Sequence, residues 1–97
     1  MTNPNYLAGR RKEYQTMRLL EAQGYIALRM AGSHGKFDVI AFGSRDIKAI
    51  QVKTGDPARI TPLEAEGLSL LVVPDNVAKQ AWLWDKGARL PRVKEYR

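Results

Sequence analysis

Apolar residues change rhythm along this chain, from helical spacing to strand alternation and back. In RRKEYQTMRLLEAQ, residues 10–23, Tyr14, Met17 and Leu20 recur at helical spacing among good helix formers, and Gly24 follows as a C-terminal cap. YIALRM (25–30) is rich in strand formers and AGSHGK (31–36) is a loop of small residues, while FDVIAF (37–42) and IKAIQVKT (47–54) predict the two strands of a hairpin. ITPLEAEGLSLLVV (60–73) carries a helix start, with Thr61 as N-cap, Pro62 at the first helical position and Glu64 three residues after the cap. Leu63, Leu70 and Leu71 are its candidates for packing on a sheet. PDNV (74–77) predicts a connection, and KQAWLW (79–84) and PRVKEY (91–96) predict short strands either side of the turn residues DKGAR. The order αβββαββ implies an α/β fold, with a central mixed five-stranded β-sheet flanked by α-helices. At 97 residues the chain is expected to form one domain, 1–97, with residues 1–8 (MTNPNYLA) a mobile arm because they carry no periodic pattern.

Polar residues interrupt the apolar runs of the hairpin. For a two- or four-residue loop centred on Ser44 and Arg45, opposed residues have numbers summing to 89, which sets Asp38 opposite Gln51. Lys53, two residues on, then points to the same face. Such a cluster is costly beside Ile40, Ile47 and Ala49 unless its members find partners or perform a function. A half-solvated Asp–Lys pair at the rim of the sheet is the competing reading.

Charge and composition narrow the chemistry. A net charge of +6 favours a polyanionic partner, and no amphipathic Lys/Arg helix with a Trp/Phe face directs that charge to a membrane. With no cysteine and one histidine, the sequence has neither disulfides nor a zinc cluster, so any metal is held by oxygen. No apolar run is long enough to span a bilayer, and a cytoplasmic protein with a nucleic-acid partner is expected, in the host cytoplasm if the source is viral. Mg²⁺, with Mn²⁺ as a substitute, suits the Asp38 carboxylate, the Gln51 side-chain oxygen and the Val52 carbonyl together with water and substrate phosphate. Lys53 beside that metal would position or deprotonate the attacking water, or stabilise charge building on the phosphate.

The pattern of an aspartate on one strand, then glutamate or glutamine, any residue and lysine on the next resembles the PD-(D/E)XK nuclease superfamily. GRRKE at the start of a helix, LRMAGSHGKFD and AIQVKTG, in this order and spacing, resemble the archaeal-type Holliday junction resolvases. The resemblance runs from about Gly9 to Gly55 and more loosely through TPLEAEGL. It implies a restriction-endonuclease-like fold, metal coordination by Asp38 and Gln51, catalysis by Lys53, and a place for Glu13 at the outer edge of the metal site. It also implies a phosphate contact for Arg29, with a structural salt bridge as the alternative, and a catalytic loop role for Ser33. Arg10, Arg11, Lys12, His34 and Lys36 complete the expected DNA contacts. Gln51 departs from the usual glutamate, and Tyr14 stands where the family commonly has arginine.

The function so implied is metal-dependent, structure-selective cleavage of four-way DNA junctions by paired symmetric nicks, carried out by a homodimer. The alternatives are a nuclease of other branched or single-stranded DNA and a DNA-binding protein whose activity is weakened through Gln51. Trp82 and Trp84, two apart on a strand, face the same way and would stack on bases, line a dimer interface or pack in the core.

Overall fold

The computed structural model describes the backbone of residues 4–30 and 35–97, with side chains from residue 9 onward. Helix α1 (Pro4–Ala22) begins on a proline, whose missing N–H costs nothing in a first helical turn. Residues 4–8, expected to belong to an arm, are therefore helical. The helix ends as the sequence predicts. Gly24 adopts a φ of 94°, its N–H donates to the Glu21 carbonyl, and the Tyr25 N–H donates to the Leu20 carbonyl, the paired bonds that close a helix on a left-handed residue.

Five strands follow the predicted order around the second helix: β1 (Ile26–Arg29), β2 (Val39–Phe42), β3 (Ile47–Gly55), α2 (Pro62–Leu70), β4 (Val77–Asp85) and β5 (Arg92–Tyr96). They form one mixed sheet in the order β1-β2-β3-β4-β5, in which β3 and β4 run parallel and the other neighbours antiparallel. The β2–β3 loop of residues 43–46 gives Val39↔Ile50 through Phe42↔Ile47, all summing to 89, the register expected from the sequence. Tyr25 fixes that loop by donating its hydroxyl to the Asp46 carboxylate at 2.7 Å. Gly43 is needed there, since a Cβ would come within 2.7 Å of the Tyr25 ring.

Helix α1 covers one face of the sheet and α2 the other. Under α1 the core joins Leu20, Val39, Ala41, Ile50 and Trp82; under α2 it joins Ala58, Leu68, Ala81, Leu83 and Tyr96. Trp82 and Trp84 are 3% and 2% exposed, so neither is available to stack on bases or to meet a second chain. Their indole N–H groups are satisfied inside, by Gln80 Oε1 and Thr16 Oγ1, both at 2.9 Å. Tyr14 departs from its expected place, because α1 turns Glu13, Thr16, Met17 and Leu20 inward and leaves Tyr14 at the flank, 40% exposed. On α2 the capping box forms as predicted, with Thr61 Oγ1 accepting from the Glu64 N–H and Glu64 Oε1 accepting from the Thr61 N–H. The phase it sets turns Ala65 and Leu68 to the sheet and leaves Leu63 and Leu70, seven residues apart on the other side, in solvent. Buried Lys79 secures the far end of α2, donating to the carbonyls of Leu68 and Leu71 at 2.7 Å each.

Candidate active site

Strands β2 and β3 diverge just beyond the Val39↔Ile50 pair, and Asp38 stands at the point of divergence. Its N–H donates to the Ile50 carbonyl at 2.8 Å, its carbonyl accepts from Met30 N–H at 2.8 Å, and its Oδ2 accepts from the Val52 N–H at 2.8 Å. The carboxylate thus takes the place of the backbone carbonyl that a continuing ladder would supply. Asp38 does not pair with Gln51 across the ladder as the bare register implied; it reaches Val52, between Gln51 and Lys53. Because the N–H and C=O of one strand residue point to the same edge, the Val52 carbonyl faces the same gap.

Gln51 and Lys53 lie on the face covered by α2, paired with Ala81 and Leu83 of β4. The Gln51 amide, half-buried, has no hydrogen-bond partner among the described residues. Lys53 forms an ion pair with Glu64 of α2. Sequence reasoning found Glu64 only as the capping partner of Thr61; here Oε1 closes the capping box while Oε2 holds the lysine. Nothing in a linear pattern brings a helix start onto a strand residue eleven positions earlier, so no sequence signal pointed to this contact. The Lys53 ammonium draws the Glu64 carboxyl below its ordinary range.

Burial pushes the Asp38 carboxyl up, opposed by the Val52 N–H and by the charge of Lys53. Glu13 is pushed up as well, first by burial and further by the negative charge of Asp38, while Arg29 opposes the rise. Glu13 and Arg29 form an ion pair at 3.2 Å, and the guanidinium also lies 5.0 Å from the centre of the Tyr14 ring. Two half-buried carboxylates whose charges repel favour a cation between them. The donors present fit Mg²⁺: one Asp38 oxygen remains beyond its bond to Val52, and the Gln51 oxygen and Val52 carbonyl are at hand. Among the described residues no three acidic or histidine side chains gather, so water and phosphate would have to fill most of the shell.

The expected DNA contacts fan out from this point. Arg10 lies 6.0 Å from the centre of the Tyr14 ring, Arg11 faces solvent, and Lys12 turns toward β4, 4.8 Å over the Trp84 ring. Lys36 extends across α2, where a Cβ at Gly67 would come within 2.6 Å of its Nζ. Ser33 and His34 lie outside the described residues.

No protein-family model matches the sequence, and no curated protein matches it. Among solved structures the chain is similar to Archaeoglobus fulgidus Hjc, a Holliday junction resolvase from an archaeal hyperthermophile, with a TM-score of 0.70 and 26% identity over 90% of this chain and 76% of that one. No described helix is long and apolar enough to cross a membrane. In the order and arrangement of its five strands and two helices, this chain is similar to the archaeal-type Holliday junction resolvases of the PD-(D/E)XK nuclease superfamily.

Proposed function

We propose that this protein is a metal-dependent, structure-selective endodeoxyribonuclease that resolves four-way DNA junctions by paired nicks. The observation that carries the reading is the Asp38 carboxylate where β2 and β3 diverge, bonded to Val52 between Gln51 and Lys53, on the fold of a Holliday junction resolvase. Asp38, Gln51 and the Val52 carbonyl would hold the Mg²⁺, which when bound supplies Lewis-acid polarisation of the phosphodiester. Lys53, steadied by Glu64, directs its remaining ammonium donors at the attacking water or the phosphate oxygens. Glu13 fixes Arg29 beside the site, where the guanidinium meets the DNA backbone. Recognition through backbone shape makes affinity fall steeply with salt. The test is incubation of a synthetic four-way junction and its linear duplex with the protein, in Mg²⁺ or in chelator. Paired nicks confined to the junction and to Mg²⁺ support the reading; equal cutting of both DNAs moves it to a general nuclease.

The scarcity of acidic ligands favours a second reading, a DNA-binding protein of weakened activity. Gln51→Glu separates the two. A carboxylate in place of a neutral amide is expected to lower the Mg²⁺ concentration for half-maximal cleavage by about tenfold, a gain of roughly 1.4 kcal/mol in metal binding. A higher metal requirement in a titration of Gln51→Glu would remove Gln51 from the coordination set.

A second copy of the chain completes the proposal, since paired nicks need two sites. Helix α2 leaves the β1–β2 half of its sheet face bare: Ile26 opposite Phe42 and Leu28 opposite Ile40, with Ile26 68% and Leu28 51% exposed. An apolar surface of this kind is stabilised by cover. Light scattering is expected to give the mass of two 10.9 kDa chains for the wild type and of one for Leu28→Lys. A wild type that stays monomeric on junction DNA would rule the dimer out.

A further inference from the structure

A second basic feature lies on the α1 face, on the β4 side of the helix and away from Asp38. A cleft of about 430 Å³ runs between α1 and the β4–β5 turn, with Lys12, Arg18 and Arg89 around it and Leu19 and Trp84 in its wall. No acidic residue lines it. The ion pairs of the described residues use Arg29, Lys53, Arg92 and Arg97, so Lys12, Arg18 and Arg89 have no carboxylate partner among the described residues. The adjoining cleft that shares Lys12 and Trp84 carries Lys86 beside Asp56 and Asp85, so the excess of positive charge lies in the first cleft. Lys12 is held in place from two sides, by the Trp84 ring at 4.8 Å and by Gln15 Oε1 at 2.9 Å.

Like charges gathered round a concavity with an apolar wall repel one another and focus a positive potential into it, an arrangement relieved by an anion. The extent of the charge along the helix suits an extended anion. Lys12 and Arg18 are six residues apart on one helix, about 9 Å along its axis at 1.5 Å per residue. That separation spans between two and three steps of a strand that carries one charge per ~3.4 Å, and Arg89 adds a third cation around the same cleft. Arg10 and Arg11, on the same helix as Lys12, continue the positive surface toward Glu13 and Arg29.

We propose that this cleft holds the sugar-phosphate backbone of a duplex arm, extending the DNA surface from the candidate active site along α1 to the β4–β5 turn. The proposal rests on the DNA binding proposed above, though not on cleavage. Its test is the salt dependence of binding to a fluorescent four-way junction, compared for the wild type, Arg18→Gln/Arg89→Gln and a control, Lys94→Gln/Arg97→Gln, that removes the same charge from β5 and the C-terminal residue. All four are exposed, so the variants keep the fold. Two lost phosphate contacts should weaken binding about tenfold or more at 0.1 M salt and make the slope of log affinity against log salt shallower by about 2. The control should stay within about threefold of the wild type with its slope unchanged. Equal behaviour of the two double variants, or an unchanged slope for Arg18→Gln/Arg89→Gln, overturns the cleft as a DNA site. Cleavage by the wild type is scored in parallel. A junction that is bound with the cleft-dependent slope and never cut leaves the cleft standing and removes the nuclease; one that is cut with no cleft-dependent slope does the reverse. A wild type that binds no DNA removes both.

Discussion

Replacing Asp38 with asparagine is expected to lower the rate of junction cleavage by about a thousandfold or more, while junction binding stays within about threefold. The rate effect follows from removing the one carboxylate that reaches Val52, since charge stabilisation through a metal site supplies several kcal/mol and each 1.4 kcal/mol is about tenfold. Folding should survive the change. The asparagine carbonyl oxygen can accept the Val52 N–H that Asp38 Oδ2 accepts now, and the neutral side chain escapes the burial that pushes the Asp38 carboxyl up. Binding should survive because the proposed DNA surface draws its affinity from cations, not from an anion. Single-turnover cleavage and anisotropy titrations on one preparation measure both quantities. Undiminished cutting by purified Asp38→Asn would exclude Asp38 from the site, whereas loss of binding together with cutting would mean that the change had disrupted the fold. Lys53→Ala belongs in the same experiment, with lost cutting and kept binding as the expected outcome.

Trp84→Ala is expected to destabilise the fold by about 3–5 kcal/mol, a large share of the roughly 5–15 kcal/mol available to a domain of ordinary stability. The ring is 2% exposed, and its N–H bond to Thr16 Oγ1 ties β4 to α1 across the sheet face. Truncation leaves a cavity under the helix, and it also takes away the ring over which Lys12 sits. In urea the unfolding midpoint should fall by about 2 M, taking a slope near 2 kcal/mol/M for a small domain. Trp84→Phe should recover most of the loss, leaving roughly 1 kcal/mol for the missing hydrogen bond. Trp82 and Trp84 are the only tryptophans, so blue-shifted emission from the native wild type checks their burial directly. An unshifted urea midpoint for Trp84→Ala, or native emission at the wavelength of solvated indole, would contradict the core assignment.

Apart from the first turns of α1, the sequence alone determined the elements, because their signals are local. The capping box of Thr61 and Glu64, the left-handed Gly24 and the loop that pairs residues summing to 89 each involve neighbours a few positions apart, where backbone sterics and short-range hydrogen bonds decide the outcome. The spacing of Asp38, Gln51 and Lys53 was legible for the same reason: strand alternation and hairpin register are arithmetic on residue numbers. Tertiary structure decided what depends on which surface meets which. Tyr14, Leu63 and Leu70 stand at apolar-stripe positions in the sequence, yet helix phase against the sheet leaves them outside, while Trp82 and Trp84 go inside because α1 lies over their face of β4. The divergence of β2 from β3 beyond Val39↔Ile50, which sends the Asp38 carboxylate to Val52, depends on where the chain leaves the ladder and has no signature in alternation. The ion pairs of Lys53 with Glu64 and of Arg29 with Glu13 join residues of different elements. Charge type is written in a sequence, but the partner of a charge is set by distance, and distance across a sheet exists only once the layers have packed.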